Sequence, residues 1–468
     1  MDAQNTHNSR GFTIVELLIV IVVIAILAAI TLVTYNGIQR RATESAMQQD
    51  LKTGASTLET DKVMAGGNAY PLTLALANGG KGIKAGDSTT LQYSLRDING
   101  TSFCLSVSST RTSQVYHYYN SGGSIQSGYC PEHSGAVLST LAGSSSGFLD
   151  DPVGTNARFV RPADIAVASN GNVYTTSGHR IRQITPSGAV TTIAGTGTAG
   201  WSDNATGTSA QFSTPMGIDI DTSGSNLYVA DSGTHRIRKI SLTPPYAVTT
   251  IAGTGSSGYL DNATGTAAQF NNPYGLAVNA SGVVYVADAN GNRIRSIAST
   301  APYAVTTLAG PTTGAAGASG VTDSPTGSAA RFNGPHGIDI DSSGNILVAD
   351  NANHRIRQVT PAGAVTTVAG TSDGYADGPA LSAQFSWPEA VTVTSDGKMY
   401  IADSYNSVIR SVISGTADTV AGQRYNSGFS DGPGAAGRIN YPWGIDVDNS
   451  GVIYVADTWN HRIRKIQP

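Results

Sequence analysis

Hydrophobic residues follow two different patterns along the chain. Near the N-terminus they form a continuous run from Leu17 to Val33, which only Thr31 interrupts. At helical rise this run covers roughly 25 Å, close to the hydrocarbon thickness of a bilayer. From about residue 136 onward, apolar and polar residues alternate in short pieces such as "NLYVAD" and "VTTIAG", separated by Gly-rich turns. The first pattern predicts a membrane-inserting helix and the second predicts antiparallel strands.

An amphipathic segment, residues 35–66, follows the apolar run. A spaced apolar stripe runs among its charged positions and predicts that the helix continues beyond the membrane. The stripe consists of Ile38, Ala42, Ala46, Leu51 and Leu58. Residues 67–133 then contain short strand-like pieces, which predict a small head of a few strands packed on this helix.

The chain has two cysteines, Cys104 and Cys130, and both fall in this predicted head. Because they follow a membrane-export segment, we expect them to form one disulfide. Such a bond would add about 3–4 kcal/mol to the stability of a small core in the chain-entropy model. Two unpaired thiols are the alternative.

One pattern recurs six times in the rest of the chain. Each copy has a long loop, as in "GWSDNATGTSAQFSTP", followed by strand-like pieces of which the fourth reads "VTTIAG" in the second copy. A fixed repeat of four short strands is typical of a β-propeller, in which neighbouring blades cover each other's faces. The last copy lacks its fourth strand, whereas an isolated fourth-strand piece, Ala136–Gly143, precedes the first loop. We therefore predict six blades over residues 134–468, closed by a 3+1 arrangement of strands.

Composition and charge narrow the range of functions. The chain has 468 residues with 55 glycines, only 13% charged residues and a formal net charge of −4. This balance suits an exported β protein with many turns. It argues against a general nucleic-acid surface, which would be strongly basic, so nucleic acid is not an expected partner.

The residues that lead into the apolar run carry a short motif. Gly11, Phe12, Thr13 and Glu16, together with the apolar run, resemble a type IV prepilin signal. The resemblance implies a leader peptide, residues 1–11, that prepilin peptidase removes between Gly11 and Phe12. It also implies N-methylation of the new N-terminal Phe12.

The implied mature chain begins with a long helix over residues 12–66, of which residues 12–35 insert into the membrane. An ionised carboxylate inside a bilayer is costly, so Glu16 needs a partner. The α-amino group of Phe12 on a neighbouring pilin subunit is such a partner, and the resemblance implies that Glu16 helps to register subunits in a filament. A plain signal anchor, with Glu16 among the lipid headgroups, is the alternative.

The repeated pieces resemble the NHL repeat. The resemblance rests on "VADSGTHRIRKI", "VADANGNRIRSI" and "VADNANHRIRQV" with their flanking strands, and it covers residues 136–468. The first copy departs from it with Thr176 in place of the aspartate, and the fifth with Ser407 and Val408 in place of the His-Arg pair. The expected architecture is a long N-terminal α-helix with a small α+β pilin-like head, followed by an all-β six-bladed NHL β-propeller.

Residues that recur in every blade are expected to serve the blade rather than one active site. This interpretation covers the strand-ending aspartates, which can accept hydrogen bonds from arginine, and the aspartates of the long loops. Ca²⁺ in the long loops is the alternative, but one carboxylate per loop is few for an ion that takes six to eight oxygens. Equivalent loop aromatics are expected to plug the space between blades: Phe148, Trp201, Tyr259, Tyr375 and Phe429.

Positions that differ between blades are better candidates for recognition. The residue after each loop proline begins the innermost strand and should stand at the mouth of the central channel. The set is diverse and partly aromatic, as in a binding surface. It comprises Ala163, Met216, Tyr274, His336, Glu389 and Trp443. Tyr405 and Trp459, in nearby turns, are further ligand-binding candidates.

Three aspartates occupy the same inner-strand position in alternate blades: Asp219, Asp339 and Asp446. They would point three carboxylates toward the axis, where a cation such as Ca²⁺ could bind. A hydrated channel lined by polar groups is the alternative that we favour. No other cofactor is expected.

Signals for catalysis are weak, and we predict no enzymatic activity. The chain contains no HExxH sequence and no phosphate-binding Gly loop. Some NHL-type propellers are metal-dependent lyases, and related six-bladed propellers hydrolyse lactones with His, Asp or Glu ligands in the channel. Here His336 and Glu389 are the obvious candidates at the mouth, which are too few for a zinc site.

Together these expectations describe a pilin-like subunit of a type IV pilus that carries its propeller outside the cell. Because a propeller is bulkier than a pilin head, we favour a minor or tip subunit over the main filament protein. We expect the chain in the cytoplasmic membrane before assembly and then in the pilus at the cell surface, where the propeller binds a protein or glycan. The alternatives are a surface-displayed enzyme of lyase or lactonase type and a pseudopilin of a type II secretion-like system.

Overall fold

The computed structural model describes residues 41–60, 89–95, 103–109, 112–119, 125–127, 136–312, 318–424, 426–434 and 437–467. The chain divides into two compact units, Met1–Cys130 and Pro131–Pro468. The predicted processing and assembly residues Gly11, Phe12 and Glu16 lie outside the described residues, as do Cys130 and the side chain of Cys104. Within the ranges given above, no helix is both long enough and apolar enough to cross a bilayer.

The first unit contains a helix, α1, that is helical throughout residues 41–60. Its buried face recurs every three or four residues, as expected for an amphipathic helix. This face consists of Thr43, Met47, Leu51, Ala55 and Leu58. The predicted stripe was partly wrong, because Ala42 and Ala46 are exposed. Alanine is tolerated on either face of a helix, so its spacing alone did not identify the buried side.

A four-stranded antiparallel sheet belongs to the same unit, with its strands in sequence order. The strands are β1 Thr89–Leu95, β2 Phe103–Ser109, β3 Thr112–Tyr119 and β4 Ile125–Ser127. Leu105 and Val107 of β2 are fully buried. The strand-like pieces of the sequence, "TTLQYSLRD", "TSFCLSVSST" and "SQVYHYYNS", contain β1, β2 and all of β3 except Thr112, whereas β4 was not predicted. The likeness of this unit to a pilin head stays a prediction.

Six antiparallel sheets build the second unit. Blade 1 contains β6 Pro162–Val167, β7 Val173–Ser177, β8 Arg180–Ile184 and β9 Val190–Ala194. Blade 2 contains β10 Pro215–Ile220, β11 Asn226–Asp231, β12 Arg236–Ser241 and β13 Val248–Ala252. Blade 3 contains β14 Pro273–Val278, β15 Val284–Asp288, β16 Arg293–Ile297 and β17 Val305–Ala309. Blade 4 contains β18 Pro335–Ile340, β19 Ile346–Asp350, β20 Arg355–Val359 and β21 Val365–Ala369.

The last two blades each have five strands. Blade 5 contains β23 Pro388–Val393, β24 Met399–Asp403, β25 Val408–Ile413, β26 Thr416–Gly422 and the short outer strand β22 Gly378–Pro379. Blade 6 contains β28 Pro442–Val447, β29 Ile453–Asp457, β30 Arg462–Gln467, then β5 Val137–Ala142 and the short β27 Gly432–Pro433. The first strand of each blade contacts the first strands of both neighbouring blades, which closes a ring of six.

The closure of the ring is the predicted 3+1 arrangement. β5, from the start of the unit, pairs antiparallel with β30 at its end, with Ala142 opposite Ile463 and Val137 opposite Gln467. The pairing satisfies the backbone of a strand that would otherwise be a free edge. It explains why the sixth repeat of the sequence lacks a fourth strand of its own.

Buried phenylalanines, rather than the predicted loop aromatics, fill the space between blades. They stand just before the start of the inner strand in five blades and are 0% exposed: Phe159, Phe212, Phe270, Phe332 and Phe385. Phe159, for example, packs with Tyr454 and Ala456 of blade 6. By contrast, Trp201 is 53% exposed and stacks on Arg236, whose guanidinium carbon lies 3.8 Å from the ring centroid. The prediction that these rings plug the space between blades was wrong for Trp201, because its ring covers a buried arginine.

The recurrent aspartates and arginines hold each blade together. Arg238 of β12 is fully buried and pairs with Asp231 at 3.0 Å and with the loop residue Asp203 at 2.7 Å. The same arrangement recurs around Arg295, Arg357, Arg410 and Arg464. These contacts agree with the structural interpretation of the repeated residues, because a buried charge requires a paired and hydrogen-bonded environment.

Histidines tie neighbouring blades to one another. His461 Nδ1 accepts a hydrogen bond from the backbone N–H of Arg161 at 3.2 Å, across the ring closure. The side chain of Asn292 takes this role in blade 3, where Oδ1 accepts the N–H of Gly334 at 2.8 Å. The histidines that make such ties are His179, His235, His354 and His461.

Candidate binding site

The six predicted mouth residues stand at the second position of the inner strands. The turns after the second strands lie at the same end of the blades, because Pro388 pairs with Asp403 and Pro442 pairs with Asp457. We call this end of the propeller the mouth face. Ala163, Met216 and Glu389 are buried, whereas Tyr274, His336 and Trp443 are partly buried.

Three of these residues come together, although they belong to blades 3, 4 and 5. The Tyr274 hydroxyl donates a hydrogen bond to Glu389 Oε1 at 2.7 Å, and His336 Nδ1 lies 2.8 Å from Glu389 Oε2. The rings of Tyr274 and His336 stack with centroids 3.9 Å apart and an interplanar angle of 4°. We call Tyr274, His336, Glu389 and the residue described next, Asn351, the mouth cluster.

Asn351 completes the mouth cluster and was missed in the sequence. Its Nδ2 donates to Glu389 Oε2 at 2.6 Å and to the backbone carbonyl of Pro388 at 3.1 Å. The equivalent residues of three other blades are hydroxyl side chains that donate to the same proline carbonyl of the next blade: Ser232, Ser404 and Thr458. The longer amide of Asn351 makes this tie and also reaches the carboxylate. An asparagine at a position that is Ser or Thr in blades 2, 5 and 6 was the available signal.

The mouth cluster leaves one polar group open to a ligand. Burial and the charge of Glu389 raise the pKa of Tyr274 well above its ordinary value, so the Tyr274 hydroxyl remains a donor. Both carboxylate oxygens of Glu389 are engaged: Oε1 accepts from Tyr274, and Oε2 accepts from Asn351 and, when Nδ1 carries the proton, from His336. His336 Nε2 has no hydrogen-bond partner among the residues that the structure describes, and this side chain is 20% exposed. This nitrogen is therefore available to a ligand at the mouth.

The channel aspartates accept hydrogen bonds from the backbone of neighbouring inner strands. Asp219 accepts the N–H of Val278 at 2.7 Å through Oδ2, and Asp446 accepts that of Val167 at the same distance. Asp339 does the same for the inner strand of blade 5. Sequence analysis missed Asp164, which stands two positions earlier in blade 1 and ties the inner strand of blade 2. Its position differs from that of the other three, so the alternate-blade pattern did not include it.

Crowding of carboxyls in the channel disfavours their charged forms. Burial, reinforced by the neighbouring Asp339 carboxylate, raises the pKa of Asp446 to about 8. Burial likewise raises the pKa of Asp164 to about 7 and the pKa of Asp339 to about 6. It also raises the pKa of Asp219 well above its ordinary value. These carboxyls line a narrow cavity of about 30 Å³ around the axis.

The predicted cation at the axis finds little support in this geometry. Asp219, Asp339 and Asp446 each accept backbone hydrogen bonds with both carboxylate oxygens. Within the described part of the chain, no three His, Cys, Asp or Glu side chains are placed to hold a metal ion. A central Ca²⁺ therefore stays a prediction.

A row of exposed aromatic rings crosses blades 5 and 6 on the mouth face. Trp387 and Tyr405 have ring centroids 5.6 Å apart, Tyr405 and Tyr441 lie 5.2 Å apart, and Tyr441 and Trp459 lie 5.9 Å apart. We call these four residues the aromatic ribbon. Tyr405 is 57% exposed, Trp459 is 45% exposed and Trp387 is 38% exposed. Tyr405 and Trp459 were predicted as ligand-binding candidates, whereas Trp387 and Tyr441 were missed.

The ribbon occupies two positions of the blade that are not aromatic in blades 2 to 4. The residue before the blade proline is Trp387 in blade 5 and Tyr441 in blade 6, but Thr214, Asn272 and Gly334 in those blades. The second turn residue is Tyr405 or Trp459, but Gly233, Asn290 and Ala352 in those blades. Blades thus fold without these rings, and the ribbon is a property of one sector of the ring.

The matches of this sequence to known families agree with both resemblances. Residues 6–32 match the prokaryotic N-terminal methylation motif, and residues 332–359 and 440–466 match the NHL repeat. Residues 96–316 match the SMP-30/gluconolactonase/LRE-like region. The chain therefore joins a prokaryotic N-terminal methylation motif to a six-bladed propeller that contains NHL repeats.

Two curated proteins illustrate the range of relatives. The chain is 29% identical over 270 residues to the chloroplastic protein SUPPRESSOR OF QUENCHING 1 of Arabidopsis thaliana, covering 54% of this chain and 25% of that protein. It is 29% identical over 307 residues to human NHL repeat-containing protein 2, covering 59% of this chain and 42% of that protein. The chain thus spans less than half the length of either relative.

Solved structures of similar fold come from Bacteroides thetaiotaomicron. A structural genomics protein of unknown function matches with a TM-score of 0.55 and 20% identity, covering 76% of this chain and 82% of that chain. An auxiliary nutrient binding protein matches with a TM-score of 0.54 and 16% identity, covering 81% of this chain and 90% of that chain. At these identities the likeness concerns the fold alone.

Proposed function

We propose that the chain is a pilin-like subunit of a type IV pilus that displays its propeller outside the cell as a binding domain. The observation that carries this proposal is the methylation motif at residues 6–32 on the same chain as a six-bladed propeller. In this function prepilin peptidase removes residues 1–11 and leaves Phe12 as the N-terminus. The helix over residues 12–66 then anchors the subunit in the cytoplasmic membrane until it packs among other pilin subunits.

Assembly depends in this account on the charge of Glu16. A carboxylate in an apolar environment is stable only with a partner, and the α-amino group of Phe12 on the next subunit supplies one. In the exported head, Cys104 and Cys130 form a disulfide that stabilises a small core. The bulk of the propeller favours a minor or tip position, because a domain of this size would crowd every site along a filament.

The proposed function of the propeller is adhesion to a protein or glycan. The mouth face supports this role, because it carries side chains that vary between blades, expose aromatic rings and leave polar groups open. The mouth cluster and the aromatic ribbon both lie on it. The recurrent residues, in contrast, are engaged within and between the blades.

Immunogold labelling of isolated filaments tests this proposal, with antibodies raised against the propeller. Label at filament ends is expected for a tip subunit, and sparse label along the shaft is expected for a minor subunit. Gly11→Leu, which removes the small residue at the predicted cleavage site, serves as the control and should keep the chain in the membrane fraction. Unlabelled filaments beside abundant membrane-bound protein would contradict the proposal and favour a secretion pseudopilin.

A surface-displayed enzyme is the second candidate, and the His336–Glu389 pair favours it. A carboxylate that engages Nδ1 leaves His336 Nε2 free to act as a general base in the neutral ring. The match to the SMP-30/gluconolactonase/LRE-like region supports a propeller of this type, although it spans residues 96–316 and does not include His336 or Glu389. Hydrolysis of an aldonolactone by the full chain, abolished by both His336→Ala and Glu389→Gln, would support it. A rate equal to the uncatalysed rate would reject it for this substrate class.

A further inference from the structure

We propose that the aromatic ribbon is a binding platform for neutral glycans. This inference deepens the proposed function and rests on it, because it names the chemistry that the displayed propeller recognises. The ribbon is a set of four rings, Trp387, Tyr405, Tyr441 and Trp459, that touch in sequence across two blades. No part of the recurrent blade structure requires them, as the residues of blades 2 to 4 demonstrate.

Three of the four rings, Tyr405, Trp459 and Trp387, are exposed, and Tyr441 between them is partly buried. Adjacent rings are tilted by 32°, 70° and 54° along the row. The four ring faces therefore point in different directions and do not form one flat surface. Large exposed aromatic side chains that lie together on a soluble domain mark an interaction site. Tryptophan and tyrosine are suited to such a site because they lose little side-chain entropy on binding.

The polar edges of the ribbon are also available. The indole N–H groups of Trp387 and Trp459 and the hydroxyls of Tyr405 and Tyr441 have no hydrogen-bond partner among the residues that the structure describes. A pyranose ring has C–H groups on its faces and hydroxyls around its rim. The ribbon offers the complement, with apolar faces for the C–H groups and polar edges for the hydroxyls.

The charges around the ribbon favour an uncharged ligand. At one end, Arg161 lies over Trp459 with its guanidinium carbon 4.5 Å from the ring centroid, and this contact engages the cation. At the other end, His354 packs edge-on against Trp387, and burial lowers the pKa of this histidine, which favours the neutral ring. The exposed carboxylate of Asp373 lies 3.8 Å from the His354 ring. Among the residues that the structure describes, the ribbon is accompanied neither by a row of cations for an anionic polymer nor by a row of carboxylates for a cationic one.

A proline-rich peptide is the main rival occupant. Such peptides dock between aromatic side chains that line a groove. Successive ribbon rings are in contact, with centroids 5.2 to 5.9 Å apart, so no groove separates one ring from the next. The geometry therefore favours a chain of sugar rings that contacts the aromatic faces one after another.

The test uses the full chain in detergent and immobilised neutral oligosaccharides of glucose, N-acetylglucosamine, mannose and galactose. Binding to at least one of these probes is expected. Trp387→Ala and Trp459→Ala should each weaken it about tenfold or more, and the double variant should abolish it. Trp459→Phe retains an aromatic face and should retain most of the affinity.

Trp201→Ala is the matched control, because Trp201 is 53% exposed and stacks on an arginine in blade 2, away from the ribbon. Its affinity for the oligosaccharides should equal that of the natural chain. Absence of binding to every neutral oligosaccharide would overturn the inference, as would equal weakening by Trp201→Ala and Trp459→Ala. Ribbon-dependent binding of a proline-rich peptide, or ribbon-dependent self-association, in place of glycan binding would also overturn it. If the immunogold experiment still detected the propeller on filaments, the pilus proposal would stand and only the glycan-binding inference would fail.

Discussion

The Tyr274 hydroxyl donates a hydrogen bond of 2.7 Å to Glu389, although the two residues stand on blades that are not adjacent in the ring. The contact passes over the inner strand of blade 4, whose His336 stacks on Tyr274 and also contacts Glu389. The cluster therefore links three blades at the mouth of the channel. The His336 ring, whose Nε2 has no partner among the described residues, is thus held by stacking on Tyr274 and by contact with Glu389.

Removing the shared acceptor of the mouth cluster should destabilise the propeller. Glu389→Ala leaves the donors of Tyr274, His336 and Asn351 without their carboxylate, so we expect a loss of about 1–3 kcal/mol in the free energy of unfolding. Tyr274→Phe removes one donor and should cost less. Chemical denaturation of the full chain measures both changes. Leu381→Ala, at a side chain that is 62% exposed, is the control and should stay within about 0.5 kcal/mol.

The buried arginines should differ in importance according to their partners. Arg238→Met leaves Asp231 charged, fully buried and without its arginine, and we expect a loss of about 3–5 kcal/mol. In blade 1 this aspartate is replaced by Ser177, and not by Thr176 as predicted, because Ser177 lies opposite Pro162 just as Asp231 lies opposite Pro215. There Arg182 pairs with Asp150, whose side chain is 44% exposed. Arg182→Met should therefore cost clearly less, as measured by chemical denaturation. Equal losses in the two variants would contradict the role assigned to the inner aspartate.

The channel carboxyls should make the propeller less stable as the pH rises. The folded pKa of Asp446, about 8, lies above the unfolded value of 3.8, so its contribution to stability is complete below the unfolded value. That contribution is lost as the pH rises through the folded pKa. Thermal unfolding from about pH 5 to about pH 9 should show a falling Tm, and Asp446→Asn should flatten this fall. An unchanged slope in Asp446→Asn would count against the crowded channel.

The hydrogen bonds that histidines accept between blades should make the propeller less stable as the pH falls, whereas the channel carboxyls make it less stable as the pH rises. Burial lowers the pKa of His461 below its ordinary value of 6.5, so the stability that the neutral ring contributes is present above 6.5 and is lost as the pH falls through the folded pKa. His461→Asn copies the tie that Asn292 makes in blade 3 without a titrating ring. We expect His461→Asn to retain the Tm at neutral pH and to lose less stability on acidification. A large loss of Tm at neutral pH would show that the amide does not replace the ring here.

Features that repeat along the chain were predictable, and features that depend on contacts across the ring were not. The isolated strand Ala136–Gly143 was sufficient to predict the 3+1 closure, because an edge strand needs a partner. The mouth position of Tyr274, His336 and Glu389 followed from the blade repeat. Their mutual contact did not, because it depends on the radius of the ring rather than on the repeat.

The errors have related physical causes. Trp201 was predicted to plug the space between blades because it recurs at an equivalent position, but its ring instead covers Arg236 and is 53% exposed. Phe212 carries the interblade packing instead, from a position next to the inner strand. Trp387 and Tyr441 were missed because the residue before the blade proline was not considered as a binding position, although each ring contacts the aromatic turn residue of its own blade.

The N-terminal residue of the mature protein, determined by mass spectrometry on sheared filaments, tests the central claim most directly. The account predicts a chain that starts at N-methylated Phe12 and retains the apolar run up to Val33. A chain from filaments or membranes that still begins at Met1, or one that lacks the apolar run, would contradict it.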